Sequence, residues 1–591
     1  MKKVSIRIEY ILSVIIAGVL TVFLLADSER IDSAFYPGLL PLGIFIFQTI
    51  RRKMDVIQLI SKTTLSDKII SICFAIIFMA FIPVMDLWTN TAWGKNIIEQ
   101  IIILAYCILI FISLFIINLQ YVTMELSFNA LDKETQGGYF RNFKYYKSYF
   151  FLICLMAIAY IVSCYPGLLH GDGWNIWMIA ETDRGWSDWH PVSYIFLIRC
   201  LLKIWNNPFI MVCFQTVVFL YIELFVLNHL YNYIGVISCK VYTIASYVNI
   251  MIFFFLHTVT KDTPFSVFLL GFCITLLAML HGEKNKFLYI QLITFGIMAS
   301  SMRHMMIVPI SGGFIFAIVY WALKRHKKET AQFLFMLCIV ILGVIGSRTL
   351  IIRYFDAEPN RGYVKYSVPL QMMAAYAATG DVDEKSREYM EQYMPLENWA
   401  KEYGKDPYLS DNISRGTDWA KEKILCDIEK DSKSIYIINW RFLIHNFAGY
   451  WEAFFKQNSE LWRMSDNREH VVCTSPYFIN VEKCVEENRG EWNPHRNYLT
   501  EIMESLTVFA AENKIWNIFS YHAGIYVYFI LFGVALAIYK KKYEILIGFI
   551  PYIILGLLLS VSIPQQAIRY VLPMFHAGIL AFSICFRFYD R

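Results

Sequence analysis

Charge is scarce in this sequence. Only 17% of its 591 residues are Asp, Glu, Lys or Arg, against about 25% in ordinary globular chains. A soluble protein of this length would have roughly four domains to cover with polar surface, and the residues to do so are missing. The net charge is only +5, and no basic block is long enough to follow a nucleic-acid backbone, so no nucleic-acid partner is expected. Internal repeats and low-complexity tracts are also lacking. Most of the 13 Cys, such as Cys73, Cys107, Cys154 and Cys338, lie in apolar runs, where they behave as small hydrophobes rather than as a disulfide scaffold. Cys473 and Cys484 lie in a polar stretch, and both a disulfide in an oxidising compartment and two free thiols are open there.

What the sequence has is apolar length. Hydrophobic residues make up 57% of it, with a mean hydropathy of +0.46. A membrane helix takes about 20 mostly apolar residues, and by that rule about fourteen spans are expected. The first four are Arg7–Ala26, Ala34–Ile50, Lys68–Val84 and Ile97–Leu119. A middle group follows at Ser148–Cys164, Pro208–Leu230, Val241–His257, Pro264–Leu280, Phe287–Ser301, Met305–Leu323 and Ala331–Ile351. Tyr521–Tyr539, Glu544–Ser562 and Ala567–Phe586 complete the set. The first span has a signal-like basic start but no small-x-small cleavage pattern, so it reads as an uncleaved anchor.

Lys and Arg collect in cytoplasmic loops. Arg51–Lys53, the Lys133–Lys147 loop, Lys284 with Lys286, Lys324–Lys328 and Lys540–Lys542 all fall on one side of these spans. Both termini fall there too. The Tyr165–His190 loop and Arg353–Ser520 fall on the other. Pro191–Asn206 is short and carries Arg199 and Lys203 on one face, so it reads as an amphipathic helix in the outer interface. Four regions result: an N-terminal four-span bundle with a cytoplasmic loop (1–147), a transmembrane core (148–352) with its first outer loop at 165–207, an outer domain (353–520), and a three-span segment (521–591). The outer domain is rich in Trp, including Trp399, Trp419, Trp440, Trp451, Trp462 and Trp492. It is expected to be mainly helical and to rest on the membrane surface.

The candidate chemistry lies at the outer edge. The first outer loop holds Gly171-Asp172-Gly173 and Ser187-Asp188-Trp189-His190-Pro191. Glycines let a backbone approach a ligand closely, although Gly-Asp-Gly is also a common turn. Asp188 is equally a cap for the helix beginning at Pro191, and His190 is equally a surface residue. Lys261-Asp262, Arg303-His304, and Gln565-Gln566 with Arg569 fall on the same side. Such charges are commonly helix-end anchors, but Arg569 lies a turn inside an apolar segment and needs an anionic partner. Converging carboxylates and cations suit a lipid-phosphate leaving group and an activated nucleophile.

These residues, in this order, resemble the GT-C superfamily of membrane glycosyltransferases. The likeness is to a poorly characterised bacterial branch with Tyr-Pro-Gly-x-x-x-x-Asp, Ser-Asp-Trp-His-Pro, Lys-Asp-x-Pro-Phe, a mid-chain Arg and a late Arg-Tyr-x-x-Pro. Here they are Tyr165–Asp172, Ser187–Pro191, Lys261–Phe265, Arg303 and Arg569–Pro573. The likeness runs from about Ser148 onward, and the first four spans look like an addition. It implies an all-α polytopic fold and a sugar donor on a polyprenyl phosphate, transferred outside the cytoplasmic membrane to an envelope glycan or lipid. Asp172 matches the carboxylate that serves as general base. Asp262 matches an acidic position that shapes the site or holds a metal, so Asp172 and Asp262 are candidate ligands for a divalent cation, Mg or Mn. The family's Asp-x-Asp is absent, and Lys261 would compete with a cation for Asp262.

The expected roles follow. Asp172, Asp188, His190 and Asp262 are the catalytic candidates. Lys261, Arg303, His304, Gln566 and Arg569 are the substrate-binding candidates, with the two arginines on the phosphate. Membrane lipids are expected around the spans. Two other readings are a transporter or flippase for a lipid-linked saccharide, and a non-catalytic membrane scaffold or sensor.

Overall fold

The computed structural model describes residues 38–46, 56–81, 97–123, 142–169, 171–283, 285–359, 366–408, 410, 413, 432–464, 497–562 and 567–585. Among them the architecture is all α; the extended pairing is limited to two isolated bridges. The cause is the solvent: inside a bilayer, backbone groups find no water, so each segment closes its own hydrogen bonds as a helix.

In chain order, α1 (Leu65–Phe81), α2 (Ile97–Thr123) and α3 (Phe143–Ser163) precede a short pair, α4 (Gly171–Thr182) and α5 (Val192–Leu202). Next come α6 (Phe209–Tyr233), α7 (Val236–Val248), α8 (Asp262–Leu280), α9 (Lys286–Met302), α10 (Ile307–Leu323) and α11 (Lys327–Phe355). A separate group holds α12 (Ser367–Ala378), α13 (Leu396–Lys405), α14 (Ser432–His445) and α15 (Phe447–Gln457). The chain then forms α16 (Tyr498–Glu512), α17 (Lys514–Tyr521), α18 (Gly524–Tyr539), α19 (Tyr543–Ser562) and α20 (Ile568–Cys585).

Six helices are long and apolar enough to cross a bilayer: Leu104–Thr123 of α2, then α3, α6, α8, α11 and α19. Two bent pairs raise the number to eight: α7 with Met251–His257, bent by 70°, and α17 with α18, bent by 62°. Among the described residues this marks a helical membrane protein with six to eight candidate spans; about fourteen were expected over the whole sequence. Val241–His257 and Tyr521–Tyr539, expected as single spans, belong to the bent pairs. Helices α9 and α10 are apolar but have 17 residues each. At 1.5 Å per residue they rise about 26 Å, roughly a turn short of the hydrocarbon layer. Arg7–Ala26, both ends of Ala34–Ile50, Arg51–Lys53, most of the Lys133–Lys147 loop, Lys284, Trp419, Trp492, Cys473 and Cys484 lie outside the described residues.

Helix α8 is the axis of the bundle, with every residue buried and α6, α9, α19 and α20 packed around it. At the periphery, α11 exposes Phe335, Leu342 and Leu350, each at least two-thirds uncovered, and α3 exposes Phe151 and Leu155. In water such patches would drive association; in lipid they face their own solvent.

The helix directions sort the loops. Helices α6, α8, α10 and α20 begin, and α3, α9, α11 and α19 end, at the end of the bundle that carries 164–191, while α18 starts deeper, with Tyr526 against Gly578 in the middle of α20. Lys324–Lys328 and Lys540–Lys542 lie at the other end, where Lys324 pairs with Glu544 at 3.3 Å. Helix α5, expected as an amphipathic helix in the outer interface, buries Val192, Tyr194, Ile195 and Ile198 against α4, α6, α9 and α11. Arg199 fastens it to α4, donating to the Ala180 carbonyl at 3.0 Å and pairing with Asp183.

Helices α12–α15 enclose a second apolar core around Tyr376, Met390, Trp399 and Phe442. Trp399, expected among the surface aromatics, is fully buried there, and its indole N–H donates to the Met390 carbonyl at 3.2 Å. Helices α16 and α17, placed by sequence in the same outer region, join the main core instead. Thr500 donates to the Ser163 carbonyl at 2.6 Å and Trp516 to the Val248 carbonyl at 2.6 Å.

Candidate active site

Backbone pairing brings the loops at the 164–191 end of the bundle together first. Leu168 N–H donates to the His257 carbonyl at 2.9 Å, and Val259 N–H returns to the Leu168 carbonyl at 2.8 Å. Gln215, buried on α6, caps the same strip by donating to the Leu256 and Thr258 carbonyls at 2.5 and 3.1 Å. A second stitch ties Asp188 N–H to the Glu358 carbonyl at 2.8 Å and Glu358 N–H to the Trp186 carbonyl at 3.0 Å. Gly173 lets α4 lie against this strip, because a Cβ there would stand 2.2 Å from the Val259 carbonyl oxygen. Gly173→Ala is therefore expected to push α4 off residues 257–260, costing about 1–3 kcal/mol. Thermal unfolding in detergent measures the loss, and an unchanged midpoint would show that the contact yields freely.

Asp172 occupies the first turn of α4, and Asp262 the first turn of α8. Both positions suit a carboxylate, since helix N-termini favour negative charge. Arg569, in the first turn of α20, spans the two: its Nη1 donates to Asp172 Oδ2 at 3.1 Å, and its Nε lies 4.0 Å from Asp262 Oδ2. Arg303, just past α9, lies 3.3 Å from Asp262 Oδ1. The Tyr570 ring separates the arginines, with their guanidinium carbons 5.0 and 5.1 Å from its centroid. Asp262 is 1% exposed and takes a further hydrogen bond from Thr260 Oγ1 at 3.2 Å. Asp172 remains 40% exposed. One carboxylate is fixed and the other reachable.

Lys261 Nζ donates to His190 Nδ1 at 3.0 Å. The imidazole accepts because it is neutral: burial first, then the Lys261 charge, pull its pKa down to about 4. Burial likewise lowers Lys261, against the pull of Asp262 and Asp172. A folded pKa below the usual 6.5 of histidine means that the unfolded chain binds the extra proton first. Stability is then whole above about pH 6.5 and declines as pH falls toward 4. The wild type is expected to lose up to about 2 kcal/mol between pH 7 and 5 from this group, and His190→Asn to show a shallower decline in unfolding midpoint.

Asp188, expected among the catalytic groups, is committed elsewhere. One oxygen takes Arg348 Nε at 3.0 Å together with Arg348 Nη2, and the other lies 3.4 Å from Val192 N–H. It holds α5 to α11 as a positioning residue, which is the capping alternative the sequence left open. His304 turns its Nε2 to the Trp189 carbonyl at 3.3 Å and so steadies the loop; burial keeps this imidazole below its usual pKa. Gln566 lies outside the described residues. Arg348 and Thr260 were not singled out from sequence, and Tyr570 entered only as part of the late Arg-Tyr-x-x-Pro, though a lone arginine in an apolar run is itself a signal.

The donors present do not suit a divalent cation. Asp172 and Asp262 have a guanidinium between them, and no group of three His, Cys, Asp or Glu converges among the described residues. They suit an anion better. Lys261, Arg303 and Arg569 outnumber Asp172 and Asp262, His190 is neutral, and the buried Arg303 Nη1 has only its 3.3 Å ion contact with Asp262 Oδ1. No family model matches the chain, and neither does any curated protein or solved structure.

Proposed function

We propose that the chain is an inverting glycosyltransferase of the GT-C type, moving a sugar from a polyprenyl phosphate to a hydroxyl acceptor outside the cytoplasm. The observation that carries this reading is the surplus cation: Lys261, Arg303 and Arg569 gather around Asp172 and Asp262, and the buried Arg303 Nη1 has only a 3.3 Å ion contact with Asp262 Oδ1. A phosphate supplies both the charge and the acceptor oxygens.

In the proposed reaction, the donor phosphate takes hydrogen bonds from Arg303 and Arg569, and Arg569 gives up its contact with Asp172. The freed Asp172 oxygen accepts the proton of the acceptor hydroxyl as that oxygen attacks the anomeric carbon. The carbon–oxygen bond to phosphate breaks on the opposite face, and its electron pair leaves with the polyprenyl phosphate. The two arginines stabilise the charge that develops there. Asp262, fixed at the tip of α8, keeps both arginines in range, and the hydrogen bond to His190 sets the direction of Lys261. No step runs through a metal.

The topology that goes with this reading has about fourteen spans, cytoplasmic termini, and the 164–191 end of the bundle outside. The basic residues at the opposite end support that orientation. The short α9 and α20 carry the arginines at or just below the membrane surface, within reach of a headgroup whose tail stays in lipid. The decisive experiment incubates purified protein with a panel of polyprenyl-phosphate sugars and a hydroxyl acceptor, following release of free lipid phosphate. Release with a glycosylated acceptor is the expected result.

One feature favours a second reading, transport of a lipid-linked saccharide. Helix α7 and Met251–His257 form a broken element, a device of transporters. Its break, however, abuts the helices around α8 rather than displaying charge at mid-membrane. Movement of donor lipid between leaflets with no bond cleavage would favour this reading over transfer.

A further inference from the structure

Helices α14 and α15 each carry two apolar stripes, and only one stripe of each faces the second core. On α14, Ile435, Ile438 and Phe442 are buried in that core. Tyr436, Ile437, Trp440 and Ile444 form a second stripe at helical spacing and are 52%, 41%, 61% and 66% exposed. On α15, Ala453 is buried with Tyr450 and Phe454 packed beside it. Phe447, Trp451 and Phe455 recur every fourth residue on its other side, with ring centroids 6.1 and 5.8 Å apart. A helix that is apolar on both faces is covered on both. Among the described residues, Tyr436, Ile437, Trp440, Ile444, Phe447 and Phe455 stay exposed, and Trp451 between the last two is half-buried.

The ladder on α15 leads to the membrane helices. Phe455 meets Trp462 edge-on at 5.9 Å. Directly after it, Met464 N–H donates to the Phe81 carbonyl at the end of α1 at 3.1 Å, and the Arg463 carbonyl accepts from Gly524 N–H at the start of α18 at 3.2 Å. Gly524 has no room for a Cβ, which would stand 2.4 Å from the Arg463 carbonyl oxygen. The Arg463 guanidinium lies over the Trp462 and Tyr408 rings, at 5.3 and 5.9 Å from their centroids. Trp, Tyr and Arg at the end of apolar helices are the residues that sit in the headgroup layer.

We infer that the outward stripes of α14 and α15 are a lipid-docking surface: the helices lie in the headgroup layer of the leaflet at the 164–191 end of the bundle. Three features identify lipid rather than protein as the occupant. The ladder is continuous with the ends of α1 and α18. The stripe on α14 carries no acidic residue and is headed by Lys433 (exposed), whose long stem lets an ammonium reach phosphates while the aromatics stay in the acyl boundary. The same chain is tethered to the bilayer on both sides, by α11 before it and α18 after it. The inference is independent of any sugar chemistry in the bundle.

The test uses the full chain in phosphatidylglycerol–phosphatidylcholine nanodiscs, with a photo-crosslinking benzoylphenylalanine placed singly at positions 440, 447 and 455. Position 388, an exposed Glu of the same unit, is the control. All four are surface positions, so the fold tolerates the probe. Lipid adducts at 440, 447 and 455 at least tenfold above those at 388 are expected. Adducts to a second protein chain, or lipid adducts no more frequent than at 388, would overturn the inference.

Discussion

Asp172→Asn is expected to reduce sugar transfer by about 10²–10⁴-fold, the range a positioned general base supplies. The substitution keeps the side-chain shape and one acceptor oxygen for Arg569, so the protein folds and inserts as before. It also removes a competitor for the Arg569 guanidinium, which donates to Asp172 Oδ2 at 3.1 Å. Binding of a short-chain prenyl phosphate is therefore expected to be unchanged or tighter while turnover is lost. Single-turnover transfer and equilibrium binding on the same preparation separate the two effects. Full turnover in this variant would remove Asp172 from the role of base.

Arg303→Gln carries the second large effect, in the opposite pattern. It removes the surplus positive charge and the Nη1 contact with Asp262 Oδ1 at 3.3 Å, and it leaves Asp262, 1% exposed, with Arg569 at 4.0 Å as its nearest ion-pair partner. Loss of one partner from a buried charge pair costs about 3–5 kcal/mol. Prenyl-phosphate affinity is expected to fall by about 100-fold, equivalent to roughly 3 kcal/mol, with a lower unfolding midpoint. Arg303→Lys restores part of the affinity, because charge returns without the planar fork. Unaltered affinity in the Gln variant would make Arg303 a structural counter-charge to Asp262 and nothing more.

Much of the site was legible in the sequence because the spans alternate direction. Once the long apolar runs are laid out, Asp172, His190, Lys261, Asp262, Arg303 and Arg569 fall on one side; the structure joins Asp172, Asp262, Arg303 and Arg569 by ion pairs and sets Lys261, beside Asp262 in the chain, on His190. What stayed hidden depends on partners far apart in the chain. Arg348 sits inside a run read as a plain span, and only the fold shows that it holds Asp188. The break between α7 and Met251–His257 falls at Asn249-Ile250, where neither Pro nor Gly announces it. Helices α16 and α17 were placed in the outer domain because 353–520 as a whole is rich in charge and Trp; their buried side, with Met503, Ala510 and Ile518, belongs to the bundle. The spans short of full length show the same limit, since hydropathy finds apolar runs but not the depth at which a chain turns.

The complete burial of α8 has one more consequence. A rod enclosed on every side cannot tilt or slide without dislodging its neighbours, so the carboxylate at its tip is a stationary reference, like the fixed jaw of a vice. Accommodation of substrates of different girth then falls to the opposite jaw, Asp172, which stands on a twelve-residue helix at the rim of the bundle. Differences in what such a site accepts are expected to be written in α4 and its loop, while the sequence of α8 stays closed to change.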